Sequence, residues 1–164
     1  WGAKVSFVGT FEKDRAKQLL FLAENGIKVR VWGQYWQDWQ SKHPNLLIEG
    51  KGVFNEEYIK VLNSTQINLN FLRKANRDEH TSRSLEIPAC KAFMLAERTD
   101  EHLHLFEEGK EAEFFDSQRE LLNKAKYYLN HGEKRKCIAE AGLNRCITSG
   151  YSHQDRVKEM LKYV

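Results

Sequence analysis

Short apolar runs of strand length alternate along this chain with amphipathic stretches of helical period, and only a few polar residues separate them. Lys4-Val5-Ser6-Phe7-Val8 closes at Gly9, and a stretch opening at Asp14 carries Ala16, Leu19, Leu20 and Ala23 on one face, the i, i+3, i+4, i+7 spacing of a helix with one buried side. Asn25-Gly26 stops it, as a glycine just past a helix end does. Ile27, Val29 and Val31 alternate with Lys28 and Arg30, the period of a strand near a sheet edge. Leu46-Leu47-Ile48, Ile67 to Leu72, the wholly apolar Ala92 to Ala96, and Ala112 to Phe115 supply four further strands. Asn55-Glu56-Glu57 reads as a cap with acids in the first turn, leading into Tyr58, Ile59, Val61 and Leu62.

The last third is helical. Ser117-x-x-Glu120 has the form of a capping box, and Leu121, Leu122, Ala125, Tyr128 and Leu129 make the apolar face behind it. Asn130-His131-Gly132 breaks the chain before another helix. A final helix, starting near Ser152, carries Val157, Met160, Leu161 and Val164. Strands separated by helices cannot pair through tight hairpins. The alternation therefore predicts an α/β fold, a doubly wound, Rossmann-like parallel sheet flanked by helices, for which the common strand order is 3-2-1-4-5-6.

The 164 residues, 41% of them hydrophobic, suffice for one domain with a sizeable core. A net charge of +3, from 26 basic and 23 acidic residues, is too balanced for a dedicated nucleic-acid binder. Cys90, Cys137 and Cys146 are odd in number and lack CxxC spacing. They read as buried free thiols in a reducing compartment rather than a disulfide framework or zinc site. No apolar run reaches the roughly 18 residues of a transmembrane segment, and no signal peptide is visible, so a cytoplasmic location is expected. The chain starts at Trp1, directly before a strand, and reads as a segment of something longer.

In a sheet of this order, ligands bind beyond the carboxyl ends of the strands where the order reverses, between the first strand and the fourth. Gly9-Thr10-Phe11-Glu12-Lys13-Asp14-Arg15 follows the first. A glycine there lets a phosphate approach the backbone, although the segment equally suits an ordinary strand-to-helix turn. The GxGxxG and GxxxxGK[ST] phosphate-binding patterns are absent, which counts against a dehydrogenase or a P-loop enzyme. No acidic residue ends the first strand, as a receiver domain would require. After the fourth strand comes a cation-rich loop, Arg73 to His80, and then Thr81-Ser82-Arg83-Ser84-Leu85-Glu86. Thr81 or Ser82 would cap the new helix; its free amides, its dipole and Arg83 would together attract an anion. Glu86, one turn on, could accept hydrogen bonds from vicinal sugar hydroxyls. The alternative is a solvated charged loop with a surface glutamate.

Arg83-Ser84-Leu85-Glu86-Ile87-Pro88-Ala89-Cys90 followed by Ala92-Phe93-Met94-Leu95, then Glu97-Arg98-Thr99-Asp100, Leu105-Phe106-x-x-Gly109-Lys110-Glu111-Ala112 and Ala139-Glu140-Ala141-Gly142, resembles the C-terminal domain of group 1 glycosyltransferases of the spore-maturation (CgeB-like) type. The similarity is clear from about Ile67 to Tyr151 and looser before it, through Phe7-Val8-Gly9, Arg15 and Trp32-Gly33. The resemblance implies the C-terminal half of a GT-B fold, two Rossmann-like domains facing across a cleft. Residues 1–164 would be the domain that binds the nucleotide-diphosphate sugar, UDP- or GDP-linked, and the N-terminal acceptor domain would lie outside this chain. It implies that Glu86 contacts the donor ribose and that Asp78 takes the first position of an E-x7-E motif as a shorter acid. Arg83 and the Ser82 and Ser84 amides would meet the pyrophosphate, opposite Gly9, Thr10 and Arg15. Gly52 and Val53 would meet the base through backbone groups. No metal is implied. Sequences of this type usually carry glycine where this chain has Lys91, so either the turn tolerates a side chain or Lys91 adds charge near the donor.

Two features carry other readings. His102-Leu103-His104 suggests a metal, but two histidines at i, i+2 face different sides of a helix and no third ligand is near in sequence. Trp32, Tyr35, Trp36 and Trp39 are either core or a surface for a neighbouring domain; the second reading requires Trp36 to be exposed. The function expected is donor binding within a glycosyltransferase. The alternatives are a nucleotide-sugar epimerase or hydrolase of the same fold, and a non-catalytic interaction domain that has lost donor binding.

Overall fold

The computed structural model describes residues 1–163. Among them, six strands form one parallel sheet: β1 (Ala3–Val8), β2 (Val29–Trp32), β3 (Leu46–Ile48), β4 (Thr65–Asn70), β5 (Met94–Glu97) and β6 (Glu113–Phe115). Their order is β3-β2-β1-β4-β5-β6, the common order expected of such a sheet. The helices are α1 (Lys13–Glu24), α2 (Asn55–Ser64), α3 (Ser82–Ala89), α4 (Asp100–Leu105), α5 (Gln118–Asn130), α6 (Gly132–Thr148) and α7 (His153–Met160). Val164, assigned to the last helix by its spacing, lies outside the described residues.

Alternate residues of each strand feed two cores. Val5, Phe7, Val29, Val31, Leu69, Leu95 and Phe115 point toward α1 and α5, where Leu19, Leu22, Leu121 and Ala125 are buried. Met94, Ala96 and Phe114 point the other way, against Leu62 of α2, Ile87 of α3, Leu105 of α4 and Cys146 of α6. This second face also carries polar groups. Ser6 donates to Asn68 Oδ1 at 3.1 Å, and the Asn68 amide donates to the Leu62 carbonyl. Both residues are buried, so these bonds offset the cost of dehydrating them. α6 lies close on the backbone before β6 because position 142 is glycine: a Cβ there would sit 2.5 Å from the Glu111 carbonyl oxygen, and 3.3 Å from the Cβ of Pro88 on α3.

Two helix starts depart from their sequence signals: Asn55, read as a cap, is the first residue of α2, and Phe54 holds the cap position with no side-chain bond. Ser117 accepts from the Glu120 amide, but the Glu120 carboxylate reaches back to the Asp116 amide and not to Ser117. It also binds Arg98, which pairs with Glu108, Asp116 and Glu120 together. These hydrogen bonds with Arg98 hold the Glu120 carboxyl down at about 2. Cys90 is half-buried and Cys146 buried, but Cys137 is exposed, against the expectation of three buried thiols.

Candidate functional site

The carboxyl ends of β1 and β4 meet at the predicted reversal, and the first turn of α3 projects over them. Thr81 caps that helix in a reciprocal box with Ser84: the Thr81 amide donates to Ser84 Oγ at 3.0 Å, and the Ser84 amide donates back to the Thr81 carbonyl. The Ser84 amide is therefore spent inside the box, contrary to the role expected of it. The amides of Ser82 and Arg83 remain, at the positive end of the helix dipole and without an acceptor among the described residues.

Three arginines stem from the segments that meet there: Arg15 at the start of α1, Arg73 just after β4 and Arg83 in the first turn of α3. Arg15 on α1 is almost fully buried, 6% exposed. Its Nη1 donates to the Thr10 carbonyl at 3.2 Å, and its Nε has no partner among the described residues. Glu12 is its ion partner at 3.5 Å, and the same Glu12 oxygen takes Arg73 at 2.6 Å. Arg83 adds a third positive charge that is felt at both Arg15 and Tyr58. Burial first, with Arg83 and Arg73 after it, pushes the Arg15 pKa down against the pull of Glu12. A buried cation with an unused donor, sharing one carboxylate with a neighbour, is an arrangement that an incoming anion would relieve.

The turn after β1 is more constrained than its composition suggests. The Gly9 amide donates to the Trp32 carbonyl, and the Gly9 carbonyl accepts from Trp36 Nε1 at 2.8 Å. Neither backbone group of Gly9 is free for a ligand, which leaves the Thr10 amide. Gly33 lies across this turn with φ +156, and a Cβ on it would fall 1.9 Å from the Gly9 oxygen. Trp36 is buried in the core, edge-on to Phe7 and Phe11. The reading of the tryptophan cluster as an exposed docking surface therefore ends here; of the four, Tyr35 is the exposed one.

One turn along α3, Glu86 is exposed and its Oε2 accepts from the Tyr58 hydroxyl of α2 at 3.1 Å. Burial and the neighbouring Glu86 raise the Tyr58 pKa, so the hydroxyl stays a donor. Tyr58 also packs beside Val53, Val61 and Trp32. Through that contact Gly52-Val53 and Glu86 share one side of the site. On its outer side, Glu86 borders a cavity of about 540 Å³ with Ser82, Leu85 and Tyr151. Asp78 is set apart: it lines a cleft of about 350 Å³ with Lys74, Arg77, Glu97 and Arg98.

Lys91 stands elsewhere. It borders a cavity with Leu62, Thr65 and Phe93, at the amino ends of β4 and β5, and pairs with Glu140 of α6. It adds no charge at the carboxyl ends of β1 and β4, where the resemblance puts the donor. Its φ is +57, so the turn does require the left-handed conformation.

Sequence reading missed Tyr58, placed among core residues, and Glu12, whose two arginine partners lie on different elements. It also missed what His102 does. That residue is fully buried, with Nε2 2.7 Å from Ser84 Oγ and Nδ1 2.6 Å from the Glu97 carbonyl. Among the described residues no group of three or more His, Cys, Asp or Glu could hold a metal ion, and no helix is long and apolar enough to cross a membrane.

A family model described as "Glycosyl transferase-like" matches residues 15–162. No curated protein matches the sequence. Among solved structures, the chain is similar to the C-terminal domain of LpcC, a glycosyl transferase group 1 family protein of Francisella tularensis: 13% identity, TM-score 0.69, covering 92% of this chain and 87% of that one. TarM of S. aureus, as a mutant in complex with fondaparinux, alpha-GlcNAc-glycerol and UDP, is 13% identical with a TM-score of 0.74 over 98% of this chain and 35% of its own. HepE of Anabaena, in complex with UDP and glucose, is 12% identical with a TM-score of 0.68 over 98% of this chain and 48% of its own. This chain thus spans about a third to a half of those two proteins and most of the LpcC domain.

Proposed function

Starting from the fact that this chain belongs to the glycosyl transferase-like family, we propose that it is the donor-binding half of a GT-B glycosyltransferase of the CgeB-like kind. It takes a nucleotide-diphosphate sugar, and the acceptor site comes from an N-terminal domain. The observation that carries this reading is the pairing of Arg15 and Arg73 on a single carboxylate, Glu12, where the unbonded amides of Ser82 and Arg83 open α3 after the neighbouring strand. A pyrophosphate brings the negative charge this pocket lacks. Charge moves onto the leaving diphosphate as the glycosidic bond breaks, so preorganised donors here favour the transition state over the bound donor. Glu86, steadied by Tyr58, lies one turn away and suits the ribose hydroxyls. Gly52-Val53 suits the base, and Asp78, in its separate cleft, would face the sugar. No metal is required by this scheme.

The fold of the UDP complexes of TarM and HepE makes UDP the first nucleotide to test, with GDP beside it. In calorimetric titration, wild type should bind one of them, and Arg83→Ala should weaken binding by about tenfold or more, the loss of a charge-assisted hydrogen bond. Glu86→Ala should weaken nucleoside diphosphate while leaving inorganic pyrophosphate unaffected. The chain alone should transfer no sugar. Absence of binding by either nucleotide, or an Arg83→Ala variant indistinguishable from wild type, sinks the assignment.

A further inference from the structure

The amides and arginine that α3 offers stand on a buried polar chain. Ser84 Oγ is its hub. It receives the Thr81 amide at 3.0 Å and Asn70 Nδ2 at 3.0 Å, and it lies 2.7 Å from His102 Nε2. Thr81 Oγ1 in turn donates to Asn70 Oδ1. On its other side His102 meets the Glu97 carbonyl through Nδ1 at 2.6 Å, and its ring stacks on Phe114 with centroids 5.4 Å apart and planes nearly parallel.

A carbonyl can only accept, so Nδ1 carries the proton. The neutral ring then presents Nε2 as an acceptor, and the Ser84 hydroxyl donates to it. Oγ keeps two lone pairs, and the Thr81 and Asn70 N–H groups take both. Every group in the chain is satisfied in this one protonation state. A second proton on His102 would turn Nε2 into a donor and aim three N–H groups at a hydroxyl with two lone pairs. Something must let go, and the Thr81 amide and Asn70 are the other two.

We infer that His102 is a positioning residue for the anion-binding end of α3: as a neutral imidazole it holds the Ser84 hydroxyl, and through it the first turn of the helix, in the geometry that meets a diphosphate. Protonation of His102 loosens that turn. The inference rests on the donor-site reading for its ligand, but the coupling between His102 and the Thr81–Ser84 turn exists without one. Burial lowers the His102 pKa, so the working state is the stable one near neutrality. The groups around it act in both directions. The Glu97 carbonyl and Glu101 on α4 favour a charged ring, whereas His80, 3.9 Å from Glu101, opposes it when itself protonated. The Glu97 carboxylate is occupied by the Leu72 amide, and Thr99 accepts from the His102 amide while donating to the Glu79 carbonyl.

Two measurements on the 164-residue chain test this. The first uses no ligand. Nitrogen NMR of 15N-histidine-labelled protein should show the Nδ1–H tautomer for His102, and the Thr81 to Ser84 amide shifts should follow its titration on acidification. An Nε2–H tautomer, or amide shifts that ignore the titration, overturns the coupling. The second compares UDP affinity at about pH 7.5 and about pH 5 in wild type and His102→Gln, which cannot charge. Phosphate protonation affects both proteins equally. Wild type should lose about tenfold more affinity than the variant across that interval, the cost of about one hydrogen bond at the site. Equal losses overturn the positioning role, and so does a Ser84→Ala protein that keeps the full wild-type pH profile. If UDP and GDP fail to bind wild type at either pH, the donor-site reading falls, and the NMR result alone decides whether His102 governs the turn.

Discussion

Lys91 occupies a backbone position built for glycine, and replacing it tests that reading directly. The chain leaves α3 through a turn in which the Lys91 amide donates to the Pro88 carbonyl at 2.9 Å and the Ala92 amide to the Ile87 carbonyl at 3.2 Å. The turn closes with φ +57 at Lys91. An L-residue held there costs about 1–2 kcal/mol, whereas glycine escapes the clash but loses about 0.5–1 kcal/mol more chain entropy on folding. The net relief in Lys91→Gly is about 0.5–1 kcal/mol. Against it stands the ion pair with Glu140, whose side chains are both about half exposed (56% and 50%), worth at most about 0.5 kcal/mol. Lys91→Gly should therefore be more stable than wild type by about 0.5 kcal/mol, a rise in Tm of about 1–2 °C for a chain of this size. Lys91→Ala keeps the strain and loses the pair, so it should fall slightly below wild type. Glu140→Gln measures the pair alone. Urea unfolding of the four proteins with a common m value, supported by calorimetric Tm, gives the order. A Lys91→Gly protein less stable than Lys91→Ala would refute the backbone argument. Nucleotide binding should be the same in all four, because Lys91 stands at the opposite end of the strands.

Tyr58→Phe removes the hydroxyl that steadies Glu86 and leaves the ring in its apolar surroundings. UDP affinity should drop by about two- to fivefold with little change in Tm, and a double-mutant cycle with Glu86→Ala should show the two effects to be non-additive. Full additivity would mean that Tyr58 does not act through Glu86. For pH, the Glu120 carboxyl lies below its unfolded value because of Arg98. Its contribution to stability is therefore complete above the unfolded pKa near 4.5 and is lost as pH falls toward about 2. Arg98→Ala should lower stability at neutral pH and flatten that acid limb; an acid limb as steep as in wild type would show that other carboxylates govern it.

The sheet was legible because alternation admits few topologies: a parallel, doubly wound sheet follows from it, and the common strand order of such sheets puts the reversal between β1 and β4. Boundaries were less so. Ile67 to Leu72 reads as a strand, but the strand is Thr65–Asn70. Ser64 ends α2 immediately before it without a loop to mark the change, and Phe71 and Leu72, though apolar, continue past the sheet and are buried beyond it. Within the site, Thr81 to Glu86 was visible as a cap, a cation and an acid at helical spacing. What that segment rests on was not. Asn70, Ser84 and His102 come from β4, α3 and α4, and no local pattern marks a hydroxyl with three partners. The Tyr58–Glu86 bond spans two helices, and Tyr58 fits an apolar periodicity as well as it fits a hydrogen bond. His102 shows the limit most clearly, since by spacing it could only be weighed as a metal ligand. Trp36 shows the reverse case, in which a single burial value decided between two readings that composition left level.

The contact between Gly33 and the Gly9 carbonyl makes the loops after β1 and β2 one mechanical body. Trp36 fastens that carbonyl from the same side, and no room is left for even a methyl group between the two turns. The Thr10 side of the anion pocket is thus a fixed jaw. Under the proposed function, any adjustment to a donor would have to come from the opposite jaw, the segment from Arg73 to Thr81, where Arg77 adopts a left-handed backbone conformation. A side chain at position 33 would therefore displace the turn after β1, and with it the Thr10 amide.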